Sequence, residues 1–252
     1  MTTLSFDDML DLVADRSAAF RAAAAAAPAG AQVPGCPDWQ VSDLVAHLGE
    51  VHRWWAAAIA AGPAPGPPDP STIEGRTPLG DLLTWSADCT ADLISALRAA
   101  GPDRDCWTWW PESSTPSNSG AVARHQVQES AIHARDAQET AGHAEPLSAA
   151  IATDGVDEFL ATCLGACGPW KLPPAQVALQ ISGGPGWLLD LSEKGAVVVP
   201  SGLAGAAQPT AAITGSASDL VLALYGRVDL DTMQLAGDRA VLRQLLDWAP
   251  VD

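Results

Sequence analysis

The chain has 252 residues, of which 48% are hydrophobic and 17% charged, so two packed domains are expected and disorder is not. Its 30 acidic residues outnumber its 13 basic ones and give a formal net charge of −17. A surface this acidic repels phosphate backbones, which excludes nucleic acid as an expected partner.

The N-terminal segment predicts a cytoplasmic protein. Residues 1–8 lack the basic start and the apolar stretch of a signal peptide. The longest apolar run in the first third of the chain is the alanine segment 22–27, which is much too short to cross a bilayer. We therefore expect no association with a membrane.

Helical periodicity covers the first half of the chain. Ser5 and Asp8 have the spacing of an N-terminal capping box, and apolar residues then recur at helical intervals up to Phe20. Three further helices are predicted, over residues 41–61, about 79–97 and about 121–140. Four helices of this length with apolar stripes predict an antiparallel bundle.

The second half of the chain is predicted to mix strands and helices. Strands are predicted over residues 176–181, 187–191, 196–199, 211–215 and 231–236, with a hairpin turn at 183–186. Helices are predicted over residues 218–225, with Ser218 as a candidate cap, and 238–248. The fold class is therefore α+β, with a helical domain over residues 1–145 and a smaller α+β domain over 146–252.

The five cysteines form no CxxC pair, and their odd number argues against a disulfide framework. We expect all five to be small buried residues.

The fourth predicted helix carries His125, Glu129 and His133 at intervals of four residues. Residues i and i+4 share a helix face, with Cβ atoms roughly 5–6 Å apart, so Glu129 and His133 can bind one cation. His47 lies on the bundle-facing stripe of the second helix and is the natural third ligand. Zinc binds three such ligands and keeps a fourth position open, and nickel or ferrous iron would also be accepted.

Other interpretations of these histidines stay open. A histidine on an apolar helix face is often a hydrogen-bonded core residue, and short motifs of this kind arise without a metal. His52, on the adjacent edge of the same stripe, is a rival to His47 as the ligand. His143 lies beyond the end of the helix and is expected to be exposed.

Three segments carry further signatures. They are Val-Pro-Gly-Cys-Pro-Asp-Trp-Gln at 33–40 with the helix that continues to residue 54, Glu-Ser-Ala-Ile-His-Ala-Arg-Asp-Ala at 129–137, and Ile-Thr-Gly-Ser-Ala-Ser-Asp-Leu at 213–220 followed by Leu-Ala-Gly-Asp at 235–238. In this order they resemble the mycothiol-dependent maleylpyruvate isomerase family, and the resemblance extends over nearly the whole chain.

The resemblance implies a DinB-like four-helix bundle that holds a divalent metal, usually zinc, and a sterol-carrier-like C-terminal domain. The family's ligand positions fall on His47, Glu129 and His133. Its members bind a low-molecular-weight thiol, typically mycothiol, at the metal as a cosubstrate. A bound cation lowers the pKa of a thiol and so supplies thiolate at neutral pH.

Two departures from the family pattern bear on the substrate. Gln128 stands where many members have a second histidine, and Arg135 stands where an aromatic residue often follows. They favour thiol transfer or conjugation over thiol-assisted cis–trans isomerisation of maleylpyruvate. The alternative is a non-catalytic carrier or regulatory protein that binds metal or thiol.

Three side chains are candidates for catalytic roles. His125 could shuttle a proton or support Glu129, or it could be a histidine on the rim of the bundle. Arg76 and Arg227 could hold an anionic substrate through bidentate pairing, or could form surface ion pairs. A cluster of tryptophans could wall a pocket mouth or belong to the core, and comprises Trp107, Trp109 and Trp110.

Overall fold

The computed structural model describes residues 4–78, 80–199 and 208–249. The chain divides into two compact units, the boundary between their main parts lying between Pro146 and Leu147. The first unit comprises Leu4–Trp109 and Pro116–Pro146, and the second comprises Trp110–Thr115 and the described residues from Leu147 onward. The fold is α+β, with a helical first unit and a sheet in the second.

The first unit is an antiparallel four-helix bundle, as the periodicity predicts. Its helices are α1 (Phe6–Ala26), α2 (Val41–Ala61), α3 (Leu82–Ala100) and α4 (Ser119–Thr140). The capping box of α1 is confirmed, since the Ser5 side chain accepts from the Asp8 N–H and the Asp8 carboxylate accepts from the Ser5 N–H. None of the helices in the described segments is both long and apolar enough to cross a membrane.

The third helix begins later than the predicted start near residue 79. Asp81 is its N-cap, because its carboxylate accepts the Thr84 N–H at 2.8 Å. This backbone N–H lies in the first turn and has no acceptor within the helix. Leu79 itself lies outside the described residues.

A short antiparallel hairpin connects α1 to α2. It consists of β1 (Gln32–Val33) and β2 (Cys36–Gln40), where the sequence predicts only a turn or an extended loop. Cys36 and Trp39 of β2 pack against the apolar cluster that contains Leu44 of α2 and Ala137 of α4. The hairpin is therefore fixed against the bundle by its own side chains.

The second unit contains a five-stranded sheet in the order β5–β4–β3–β6–β7. Its strands are β3 (Ala175–Ile181), β4 (Gly186–Ser192), β5 (Gly195–Val199), β6 (Ala211–Gly215) and β7 (Gln234–Gly237). Strands β3 and β6 pair in parallel, and the other neighbours are antiparallel. Its helices are α5 (Ala149–Ala161), α6 (Ala217–Leu224) and α7 (Arg239–Trp248). The first four predicted strands are confirmed to within one residue at each end.

Two local predictions for the second unit are wrong. The cap of α6 is Ser216, whose side chain accepts the Asp219 N–H at 3.0 Å, whereas the Ser218 hydroxyl accepts the Leu147 N–H. The segment predicted as a strand over 231–236 begins instead with a 3₁₀ turn at Leu230–Thr232, and its strand is β7.

None of the five cysteines forms a disulfide. Three of them are buried as predicted, but Cys36 and Cys167 are only partly buried.

Helices α2 and α3 approach closely at a glycine. A Cβ atom built on Gly49 would lie 2.2 Å from the Trp85 ring. The ring cannot easily retreat, because it is buried and its indole N–H donates to the Gly75 carbonyl at 2.8 Å.

Gly49→Ala should therefore lower the free energy of unfolding by about 1–3 kcal/mol through overpacking, despite the better helix propensity of alanine. Urea denaturation of the purified chain measures the change. Gly66→Ala is the matched control, because a Cβ at Gly66 meets no atom within 4 Å. Equal stability of the two variants would show that the Trp85 ring yields without cost.

Candidate metal centre

Helices α2 and α4 bring His47, Glu129 and His133 together inside the bundle unit. The Nε2 atom of His47 lies 3.2 Å from Glu129 Oε1, and the Nε2 atom of His133 lies 3.4 Å from the same oxygen. His133 is 3% exposed, and the other two side chains are largely buried. Two imidazole nitrogens and one carboxylate oxygen thus point toward one another from two helices.

The spacing of these atoms suits a small divalent cation. Tetrahedral zinc has Zn–N and Zn–O bonds of about 2.0–2.2 Å, which places neighbouring donor atoms about 3.3–3.6 Å apart. The two measured separations, 3.2 and 3.4 Å, are close to this range. The three donor atoms also lie within 4.8 Å of one another. The donor set therefore fits the metal that the resemblance implies.

Asp136 fixes the orientation of His133. Its Oδ2 atom lies 3.0 Å from His133 Nδ1, and the carboxylate is fully buried. His133 is therefore held between two carboxylates, one at each ring nitrogen. Sequence reasoning assigned Asp136 no role, although its position three residues after His133 places it on the same helix face.

The charges of the centre depend on these contacts. Burial alone would raise the pKa of Glu129, but hydrogen bonds from His133 and His47 hold that pKa well below its usual range. Burial alone would lower the pKa of His133, but its hydrogen bonds to Asp136 and Glu129 raise that pKa to about 9. Glu129 is thus a carboxylate near neutral pH, and His133 carries a proton that a bound cation would replace.

Trp39 of the β1–β2 hairpin covers one side of the centre. Its ring centroid lies 4.6 Å from that of His47 and 6.4 Å from that of His133. The two imidazoles meet edge to face, with centroids 5.1 Å apart. The aromatic cover restricts both rings, and the hairpin that supplies it was not predicted.

Comparison with known proteins identifies the family. The family model of the mycothiol maleylpyruvate isomerase N-terminal domain matches residues 10–138, and that of the MDMPI C-terminal domain matches residues 150–244. The chain belongs to the mycothiol maleylpyruvate isomerase family. No curated protein and no solved structure matches it. The resemblance drawn from the three sequence signatures is thereby confirmed.

In this member of the isomerase family, His52 does not join the donor set. Its Nδ1 atom lies 3.2 Å from the Thr90 hydroxyl and its Nε2 atom 3.4 Å from the Ser130 hydroxyl. The side chain is fully buried, and burial lowers its pKa to about 3. His52 is therefore a neutral, hydrogen-bonded residue of the bundle core.

The three catalytic candidates have different surroundings. His125 is buried, and its ring packs edge to face against Trp55 and Trp109, with centroids 6.2 and 5.6 Å away. Arg76 forms an ion pair with Glu50 at 2.5 Å. Arg227 belongs to the second unit, where its guanidinium donates to the Tyr225 carbonyl at 2.7 Å. Among the residues that the structure describes, none of the three belongs to a group of side chains that could bind a cation together with His133.

The two residues that depart from the family pattern also lie outside the donor set. Arg135 forms an ion pair with Glu139 at 3.1 Å, one turn further along α4. Gln128 is fully buried. Neither belongs to the described groups of side chains that could bind a cation.

The tryptophan cluster is divided between the two units. Trp107 meets Trp54 edge to face at 5.2 Å, and Trp109 remains 36% exposed, whereas the fully buried Trp110 belongs to the second unit. His143 is exposed, as expected.

The neutral state of His52 predicts a loss of stability in mild acid. The unfolded state takes up a proton near pH 6.5, but the folded state does so only near pH 3, so the free energy of unfolding falls as the pH drops between these values. The expected loss from His52 between pH 7 and pH 5 is about 2 kcal/mol. His133 offsets part of this loss, by about 1 kcal/mol, because the stability from its raised pKa is complete below about pH 6.5 and is already partly lost at pH 7, on the way to its full loss above pH 9.

Denaturant unfolding at the two pH values measures the loss. His52→Gln should abolish most of it, and His143→Gln, at an exposed position, should retain it. An unchanged pH dependence in His52→Gln would contradict the assignment.

Proposed function

We propose that the chain is a metal-dependent enzyme in which His47, Glu129 and His133 hold one divalent cation, zinc before nickel or iron, and that mycothiol reacts there as cosubstrate. The observation that carries the proposal is the convergence of both imidazoles on one Glu129 oxygen, at 3.2 and 3.4 Å. Membership of the mycothiol maleylpyruvate isomerase family supports an isomerase-like, thiol-dependent activity.

A cation held by these ligands would lower the pKa of a coordinated thiol and supply thiolate at neutral pH. The protein would orient the metal ligands and exclude water from the metal centre. Asp136 accepts a hydrogen bond from His133 Nδ1 and so directs Nε2 toward Glu129. Trp39 limits the access of water from one side of the pair of imidazoles.

For the reaction, we place thiol-assisted cis–trans isomerisation first. The thiolate sulfur would add to one carbon of an activated double bond, the resulting single bond would rotate, and loss of the thiolate would restore the double bond. The thiol is not consumed in this sequence. The name of the family favours it, and the departures at Gln128 and Arg135 lie outside the donor set.

Thiol transfer is the second candidate, because it needs the same activated thiolate. It differs in that the carbon–sulfur bond persists in the product and one thiol is consumed for each turnover. A non-catalytic carrier would take up thiol and release it unchanged. The amount of thiol consumed therefore separates the three functions.

The contacts to an anionic substrate are also proposals. Arg76 is the first candidate. Its buried Nε atom has no hydrogen-bond partner in the described segments, while the Nη2 atom of the same guanidinium pairs with Glu50. Arg227 and His125 are further candidates for substrate binding and proton transfer.

Elemental mass spectrometry of the purified chain tests the metal. We expect about one divalent cation per chain in the wild type and much less in His47→Ala and Glu129→Gln, because each variant removes one of only three protein ligands. His143→Ala is the control, since it removes an exposed histidine. A wild type that takes up no metal after reconstitution would overturn the proposal.

The metal-loaded chain should convert maleylpyruvate with a catalytic amount of mycothiol, and Glu129→Gln should lose most of this activity. Chromatography of the product together with titration of the remaining thiol measures the outcome. Stoichiometric loss of thiol with formation of a thioether would establish transfer instead. Metal and thiol binding without any product, across electrophilic substrates, would establish a carrier.

Asp136→Asn should weaken metal binding by about 10–100-fold, because it removes the carboxylate that orients His133 and raises its basicity. Competition with a chromophoric chelator measures the affinity. Asp38→Asn, an exposed carboxylate on the same hairpin as Trp39, is the matched control. Equal affinities for both variants would show that Asp136 serves only the fold.

A further inference from the structure

A second group of donor atoms surrounds the other nitrogen of His133. The Cys36 Sγ atom lies 3.9 Å from Asp136 Oδ2, and His133 Nδ1 lies 3.0 Å from the same oxygen. These three atoms lie within 4.8 Å of one another. The group shares one imidazole with the candidate metal centre but none of its other donor atoms.

The fold brings these three side chains together from two elements. His133 and Asp136 lie three residues apart on one face of α4. Cys36 opens strand β2, and the packing of the hairpin on the apolar cluster around Leu44 and Ala137 holds its sulfur beside that face. Asp136 is fully buried, and Cys36 as a whole residue is partly buried.

The chemistry of the group differs from that of the neighbouring centre. A thiolate, an imidazole nitrogen and a carboxylate oxygen form a softer donor set than two imidazoles and a carboxylate, and thiolate favours thiophilic metals. Tetrahedral zinc bonds of about 2.3 Å to sulfur and 2.0–2.2 Å to oxygen place these two donors about 3.5–3.7 Å apart. The measured 3.9 Å leaves room for a somewhat larger ion.

We propose that Cys36, His133 and Asp136 form a second cation site, which binds a thiophilic divalent ion of the size of Cd²⁺. On binding, the Cys36 thiol and the His133 Nδ1–H each release a proton to solvent, and the ion takes the place of both protons. The site does not require a metal at His47 and Glu129. It also engages Asp136, the carboxylate that otherwise orients His133, so the ion at this site alters the geometry of the neighbouring centre.

Titration of the chelator-treated full-length chain with Cd²⁺ tests the site, because thiolate bound to cadmium absorbs in the ultraviolet and imidazole and carboxylate ligands add no such band. We expect the absorption to saturate at about one thiolate-bound ion per chain in the wild type. It should persist in Glu129→Gln, which disables the neighbouring centre. It should disappear in Cys36→Ser and persist in Cys167→Ser, which removes the other partly buried cysteine.

Alkylation of the wild type provides a measurement that depends on no variant. Cadmium should slow the reaction of Cys36 with iodoacetamide by at least about tenfold, since a metal-bound thiolate is withdrawn from attack, and should leave Cys167 unprotected. Peptide mass spectrometry measures both rates.

A wild type without the absorption, a band that survives Cys36→Ser, or equal protection of both cysteines would overturn the second site. None of these results bears on zinc bound by His47 and Glu129. Conversely, a wild type that binds no zinc would refute the proposed function. If Glu129→Gln still shows the cadmium absorption, the second site is retained.

Discussion

The local structure of the bundle unit depends on one buried imidazole held between two carboxylates. His133 meets Glu129 through Nε2 at 3.4 Å and Asp136 through Nδ1 at 3.0 Å. Buried charges of this kind are costly unless each one is paired and hydrogen-bonded. The cost is offset here because the pattern i−4, i, i+3 places all three groups on one face of α4. His47 of α2 then completes the arrangement, so the two helices must keep a fixed separation.

The connection between α1 and α2 extends this constraint to the β1–β2 hairpin. A five-residue strand, β2, carries both Trp39, whose ring lies over His47, and Cys36, whose sulfur lies 3.9 Å from Asp136. Because the hairpin packs on the apolar cluster of the bundle, its two side chains are positioned by the core and not by the loop alone. Fold stability and site geometry are thus coupled through one short segment.

The sequence predicts the parts of this arrangement that follow from local periodicity. The bundle helices, the first four strands and the clustering of Glu129 with His133 all rest on spacings of two, three or four residues. Trp39 acts through a tertiary contact, so spacing alone could not assign its role, and the hairpin and α5 were not predicted. Asp136 contacts His133 within α4 at a spacing of three residues, but that spacing alone does not distinguish a carboxylate that orients a histidine from one that faces solvent. The cap of α6 is Ser216 and not the predicted Ser218, because the Ser216 hydroxyl accepts the Asp219 N–H whereas the Ser218 hydroxyl accepts the Leu147 N–H.

The contrast between His47 and His52 shows why residue type and helix face do not determine chemistry. Both histidines lie on α2, five residues apart, and both point into the bundle unit. His52 contacts the hydroxyls of Thr90 and Ser130, and burial holds its pKa near 3, so it stays neutral and structural. His47 faces the Glu129 carboxylate, which can compensate a positive charge. Within one helix, the partner across the interface therefore determines which histidine can serve as a ligand to a cation.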